Sequence, residues 1–250
     1  MRIAVLNDIH GNLPALEAVL AELRETGVDR IVVGGDVFPG PMPHQVLDAL
    51  LGAGVPVDFI HGNGEVAIVE QLSGEIPALV PEPFRPLIRW NAEQLDDAQC
   101  RFISGWPMTL RLEVPAIGEV LFCHATPRNP DEIFTVLTAE ERLISIFESA
   151  HAGVVICGHT HMQFDRTVGN TRVINAGSVG MPFGVRGADW LMIDSPRIEL
   201  RHTPYDADAA TERILRSGYP GAEEFVTRYV LDTPSAADIL KLYSQRELKA

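Results

Sequence analysis

Three short apolar runs open the chain at nearly equal spacing: Ile3 to Leu6, Ile31 to Val33 and Val57 to Ile60. Each reads as a buried strand. The segments between them carry helical periodicity. Leu13, Leu16, Val19, Leu20 and Leu23 share one face of a helix that stops near Gly27, and Val46, Leu47, Leu50 and Leu51 line a second. A third helical run, with Val66, Val69 and Leu72, follows the third strand. Strand–helix alternation with short connections implies parallel strands joined by right-handed crossovers, an α/β arrangement.

Further strands are expected at 109–114, 119–123, 153–157, 171–174, 190–193 and 197–202. The Pro-rich segment 74–90 reads as an irregular loop. Asn91 is expected to cap a helix running to about Ile103, and Thr138 with Glu141 has the spacing of a capping box. From Asp206 the tail reads as helical, its last helix starting near Thr233-Pro234. The expected organisation is one domain over 1–250, with 204–250 as a helical C-terminal extension.

Composition narrows the function. The formal charge is −14, from 20 basic and 34 acidic residues. Such a surface repels a nucleic-acid backbone, which argues against bulk nucleic-acid binding but not against a small phosphorylated substrate. Bound divalent cations would dominate the field inside a site. The three cysteines, Cys100, Cys123 and Cys157, are widely spaced and read as core residues rather than a disulfide or zinc framework. No apolar stretch reaches the length of a membrane span and no leader pattern is visible, so the expectation is a cytoplasmic protein without a membrane partner. Oligomeric state leaves no mark in the sequence.

The residues with ligand chemistry fall at one kind of place. Asp8 and His10 follow the first strand, Asp36 the second and Asn63 the third; His124 follows the strand at 119–123, and His159 and His161 that at 153–157. In open α/β sheets ligands bind beyond the carboxyl ends of the strands. Asp8 to Asp36 is 28 residues and Asp36 to Asn63 is 27, each about one βα unit, so these loops should meet at one edge. Carboxylate oxygens can bridge two cations, imidazole suits Mn, Fe and Zn, and an Asn carbonyl adds an uncharged oxygen. Singly, Asp-x-His or Gly-Asn-Gly is an ordinary loop or turn; the ordered set, each piece after a strand, is what carries the signal.

The series Asp8-Ile9-His10-Gly11-Asn12, Gly34-Gly35-Asp36 through Gly40-Pro41, Gly62-Asn63, Cys123-His124, Gly158-His159-Thr160-His161 and Asn175-Ala176-Gly177-Ser178-Val179-Gly180 resembles the calcineurin-like metallophosphoesterase superfamily, in particular its small prokaryotic single-domain branch. The resemblance covers about residues 5–195. It implies a β-sandwich flanked by helices with the metal site at the sheet edges. It also implies two divalent cations, manganese first, with iron or zinc as alternatives. Asp8, His10 and His161 would hold one metal; Asn63, His124 and His159 the other; Asp36 would bridge them together with a hydroxide that attacks phosphorus. The implied enzyme hydrolyses phosphodiester or phosphoanhydride bonds of small, nucleotide-like substrates.

One position departs from the family pattern. Members often have Gly-Asn-His followed by Asp or Glu, whereas this chain has Gly62-Asn63-Gly64-Glu65. Gly64 can do no acid chemistry, and His61 is the candidate to replace the absent imidazole. Arg128, in the loop after His124, is a candidate phosphate clamp. Asn12 is a candidate for substrate binding or for capping the first helix, and Arg186 is a weaker substrate candidate. His44, His151 and His202 read as surface or packing residues. Two rival readings remain at this level: a catalytically weak metal- and nucleotide-binding sensor, favoured by Gly64, and a protein Ser/Thr phosphatase, for which the chain shows no peptide-docking module.

Overall fold

The computed structural model describes residues 1–77 and 80–248; positions 78, 79, 249 and 250, which fall within the expected loop and the expected tail, lie outside them. Two five-stranded mixed sheets stack face to face. The first contains β1 (Arg2–Leu6), β2 (Arg30–Val33), β3 (Val57–Phe59), β9 (Ala188–Asp194) and β10 (Arg197–Thr203), in the order β10-β9-β1-β2-β3. The second contains β4 (Thr109–Val114), β5 (Gly118–Cys123), β6 (Val154–Cys157), β7 (Phe164–Val168) and β8 (Thr171–Asn175), in the order β4-β5-β6-β8-β7. β1, β2 and β3 are parallel, as are β5, β6 and β8.

The apolar runs are continuous because both of their faces are covered. Ile3 and Val5 of β1 meet Val120 and Phe122 of β5 and Ile156 of β6 between the sheets, while Ala4 and Leu6 face the helices. Those helices are α1 (Leu13–Thr26), α2 (Pro43–Leu51), α3 (Asn63–Leu72), α4 (Arg85–Gln94) and α5 (Asp97–Ser104). On the outer side of the second sheet, α6 (Glu140–Glu148) covers Leu121, Cys123, Val155 and Cys157. The fold is thus a helix-flanked β-sandwich.

The tail forms α7 (Ala207–Leu215), α8 (Ala222–Phe225), a π-helical turn over Val226–Leu231 and α9 (Ala236–Tyr243). Ala210, Ile214, Phe225 and Val230 are buried in the same apolar cluster as α1 and α2, so the tail shares the main core. Among the described residues no helix is long and apolar enough to cross a membrane.

Several local expectations need correction. The Pro-rich segment is not loop throughout: it holds a 3-10 turn at Glu82–Phe84 and the start of α4, with a proline in the first turn, where a missing N–H costs nothing. Asn91 lies inside α4 rather than capping it, and its Oδ1 accepts from the backbone N–H of Gly40 at 3.0 Å. The Thr138–Glu141 capping box does not form. α6 starts after Ala139, and the Thr138 hydroxyl donates to Glu247 Oε1 at 2.7 Å. Strand β7 escaped the sequence reading because only Phe164 and Val168 of its five residues are buried.

Candidate metal centre

The carboxyl ends of β1 and β2, neighbours in the first sheet, and of β5 and β6, neighbours in the second, open onto one edge of the sandwich. The loops leaving them interlock. Asp8 N–H donates to Gly35 O and His10 N–H to Asp36 O, both at 3.0 Å, while Gly158 N–H donates to His124 O at 2.8 Å. Across the sheets, His159 N–H donates to Asp8 Oδ2 at 2.8 Å. This lattice holds an unusual backbone: Asp8, His10, Asp36, His159 and His161 have φ of 54°, 46°, 53°, 66° and 57°. Non-glycine residues rarely enter the left-handed region, at about 1 kcal/mol or more each, and such strain collects at functional sites.

The side chains converge. Ligand atoms of Asp8, His10 and His161 lie within 4.8 Å of one another, and so do those of Asp8, Asp36 and His124. Asn63, the first residue of α3, brings its Oδ1 to 3.1 Å from His124 Nε2. The His159 ring sits edge-on to that of His124, centroids 5.2 Å apart. Asp36 faces two ways: Oδ2 is 3.6 Å from His10 Nε2 and Oδ1 is 3.5 Å from His124 Nε2.

Hydrogen bonds at the far side of each ring assign its tautomer. Nδ1 of His10, His124 and His161 lies 3.2, 2.9 and 2.9 Å from the carbonyl oxygens of Pro39, Gly34 and Met181. A carbonyl only accepts, so Nδ1 carries the proton and Nε2 offers a lone pair to the site. His10 Nε2 and His161 Nε2 are then two lone pairs 3.2 Å apart. Asp8 Oδ1, fully buried and without a hydrogen-bond donor, stands 3.2 Å from His161 Nε2. Lone pairs and carboxylate oxygens aimed at one another call for cations between them. Imidazole nitrogens with carboxylate oxygens fit first-row divalent metals.

Without a cation the carboxylates hold protons nearby. Burial lowers the pKa of His124, but the Asp36 and Asp8 carboxylates outweigh it and push it up to about 10. Burial raises the Asp36 carboxyl, yet His124 and His10 bring it below the usual carboxylate range. His159, desolvated and close to His124, falls to about 4.

One important residue escaped the sequence reading. Glu65 is fully buried behind Asp36 and accepts three backbone N–H bonds, from Asp36 and Gly62 at 2.8 Å and Phe38 at 3.1 Å. It clamps the loop after β2 to the start of α3. Burial and the Asp36 charge push its pKa up to about 7, against the pull of the three N–H groups. The available signal was its place three residues after the helix cap Gly62.

The substrate candidates are less free than expected. Asn12 caps α1, accepting from Ala15 N–H at 3.2 Å, and donates to Gly180 O at 2.9 Å. Its side chain is wholly buried. Arg128 does share a small pocket with His124, but its guanidinium pairs with the buried carboxylate of Glu132, Nε to Oε2 at 3.0 Å. Arg186 donates to Leu231 O at 3.2 Å.

Comparison with known proteins decides the family. Residues 1–195 match the model of the calcineurin-like phosphoesterase superfamily domain. The chain belongs to that superfamily. A protein of Methanocaldococcus jannaschii is 25% identical over 241 residues, 87% of this chain and 93% of that one. The phosphodiesterase YfcE of Escherichia coli is 24% identical over 204 residues, 78% of this chain and 88% of that protein. The fold is shared with a protein from Pyrococcus horikoshii, at TM-score 0.75 and 21% identity, over 93% of this chain and 99% of that one. A metallophosphoesterase from Sphaerobacter thermophilus aligns at TM-score 0.69 and 24% identity, over 91% and 98% of the two chains. As a calcineurin-like phosphoesterase, the protein is a hydrolase of phosphate esters served by divalent metal ions.

The departure from the family motif has a structural cause. A Cβ on Gly64 would overlap the carbonyl oxygen of Phe38, and Gly64 N–H donates to Asp36 Oδ1 at 2.7 Å. The backbone here lies too close to Phe38 for any side chain. His61, the candidate to replace the absent imidazole, is turned toward α5 and Trp106. Its Nε2 is 2.7 Å from Ile103 O, and its ring lies edge-on to Trp106 with centroids 6.1 Å apart.

Proposed function

We propose that the protein is a dinuclear metal-dependent phosphoesterase that hydrolyses phosphodiester or phosphoanhydride bonds of small, nucleotide-like substrates. One observation carries the reading: His10, His124 and His161 are each tied back through Nδ1 to a backbone carbonyl and turn Nε2 toward the carboxylates of Asp8 and Asp36. Asp8, His10 and His161 are assigned to one cation and Asn63, His124 and His159 to the other, with Asp36 between. Bound there, divalent cations supply charge against phosphoryl oxygens and acidify water.

The chain's own residues do the rest. The interlocked loops fix the ligand directions before substrate arrives, so little reorganisation accompanies reaction. Glu65 holds the Asp36 loop in place through three N–H bonds. Gly64 offers no proton and His61 is engaged elsewhere, so a leaving oxygen departs with little acid help from this segment. Esters with weakly basic leaving groups, aryl phosphodiesters and phosphoanhydrides, are therefore preferred over alkyl monoesters. Manganese is the first assignment, with iron or zinc as alternatives that the same ligands accept. Hydrolysis of bis(p-nitrophenyl) phosphate by chelator-treated protein, with and without added Mn²⁺, tests the reading. Metal-dependent turnover is expected, and turnover indifferent to metal would overturn it.

A further inference from the structure

Beside the metal centre lies a cavity of about 400 Å³. Its link to the centre is one aromatic ring: Phe183 stacks on His161, centroids 5.3 Å apart and planes at 21°, and lines the cavity. Met162, Phe164 and Val185 continue the apolar lining, together with Ala236 and Leu240 of α9. Val185 is 64% exposed, so the mouth is open to solvent.

The wall from α9 is strapped in place at both ends. Gly184 N–H donates to Pro234 O at 3.0 Å, and Leu248 N–H donates to Ile133 O at 2.8 Å. Arg142 pairs with Glu247 at 2.9 Å. Tyr243, at the end of α9, makes a T-shaped pair with Phe183, centroids 6.4 Å apart. The segment thus crosses from the loop at 181–187 to the loop before α6, past the metal end of the sandwich. It lies wholly outside residues 1–195, the part that matches the superfamily.

Three polar side chains line the cavity: Asp189, Gln163 and His202, whose Nε2 donates to Arg186 O at 3.1 Å. Asp189 Oδ1 lies 2.7 Å from His202 Nδ1, while its Oδ2 has no donor among the described residues. Gln163 turns its amide nitrogen to the carbonyls of Ala176, Trp190 and Arg201 at 2.9–3.1 Å, which its two hydrogens share. An apolar lining with aromatic rings at Phe164 and Phe183, and a carboxylate oxygen at Asp189 without a donor, suit an aromatic ring that carries N–H donors.

We propose that this cavity receives the nucleobase of a nucleoside phosphoester whose phosphate lies at the metal centre, and that the C-terminal segment 232–248 selects the substrate. The proposal deepens the phosphoesterase reading and rests on it for the position of the phosphate.

Two esters with the same leaving group test it: adenosine 5′-(p-nitrophenyl phosphate) and methyl p-nitrophenyl phosphate. The native protein should favour the adenosine ester in kcat/KM by about tenfold or more, and Ala236→Trp and Leu240→Arg should each cut that preference to about threefold or less. No preference in the native protein, or an unchanged one in both variants, overturns the proposal. If neither ester is hydrolysed, it is the phosphodiester reading that fails, and equilibrium binding of adenosine itself, followed by NMR, decides the cavity. Binding weakened about tenfold by Ala236→Trp supports it; absent or unaltered binding overturns it. Should the filling variants not fold, Asp189→Ala, which empties the cavity's acceptor side, is read in the same binding assay with the same two outcomes.

Discussion

His10 and His161 come from loops on different sheets, yet their Nε2 atoms stand 3.2 Å apart with both Nδ1 protons committed to backbone carbonyls. Two imidazole lone pairs in contact are repulsive unless something positive lies between them or one ring takes a second proton. Asp8 Oδ1, 3.2 Å from His161 Nε2 and without a donor, completes the same cluster. Without a cation, protons drawn onto His124 and His161 by the Asp8 and Asp36 carboxylates take that place.

Asp36→Ala is expected to lower bound metal by at least one equivalent and to reduce kcat/KM by about 10³-fold or more, because one carboxylate faces both His10 and His124. Metal analysis and steady-state kinetics on the purified variant check this. Full occupancy with retained turnover would rule out a bridging role.

Metal binding should release protons. In the metal-free protein His124 is raised to about 10 by the Asp36 and Asp8 carboxylates, so at pH 8 it is charged, and a cation must displace that proton. Apparent metal affinity therefore rises with pH up to about 10. The same shift governs metal-free stability. A raised histidine stabilises the fold fully below its unfolded value of 6.5, and that contribution is lost as pH climbs through about 10. Calorimetric titration with Mn²⁺ in buffers of different ionisation enthalpy reads the released proton directly, and buffer-independent heats at pH 8 would contradict the prediction.

Glu65→Gln should destabilise the protein by about 1–3 kcal/mol, since an amide nitrogen placed at either carboxylate oxygen meets a backbone N–H that needs an acceptor. That corresponds to a fall of several degrees in Tm for a chain of this size. Metal content should fall with it, because Glu65 holds the backbone of Asp36. Thermal unfolding with and without Mn²⁺ separates the two effects, and an unaltered Tm would remove Glu65 from the account.

Gly64→His restores the usual family residue yet should not restore acid catalysis. Its Cβ would overlap Phe38 O, so the variant is expected to lose about 2 kcal/mol or more rather than gain activity toward alkyl esters. A stable variant with improved alkyl monoester turnover would show that the backbone at Phe38 gives way.

Much of this site was legible because ligand-type residues recur once per βα unit, just past the ends of apolar runs, and parallel strands bring those ends to one edge. The direction of His61 was not legible, since it depends on register. Ile60 faces the space between the sheets, so His61 shares the helix side with Phe59, where Phe59 stacks on Trp106 at 4.6 Å. Glu65 was hidden for the opposite reason: a glutamate in the first turn of a helix looks like an ordinary cap, and only tertiary contact with Asp36 and Phe38 shows what it holds. Asn91 has the residue type of a cap as well, but α4 runs through it and delivers its side chain to Gly40.

Anomalous diffraction from crystals grown with Mn²⁺, recorded at the manganese edge, locates the cations. Two peaks are expected, one among Asp8, His10 and His161 and one among Asn63, His124 and His159, with Asp36 contacting both. A single peak, or manganese bound away from these side chains, would contradict the assignment.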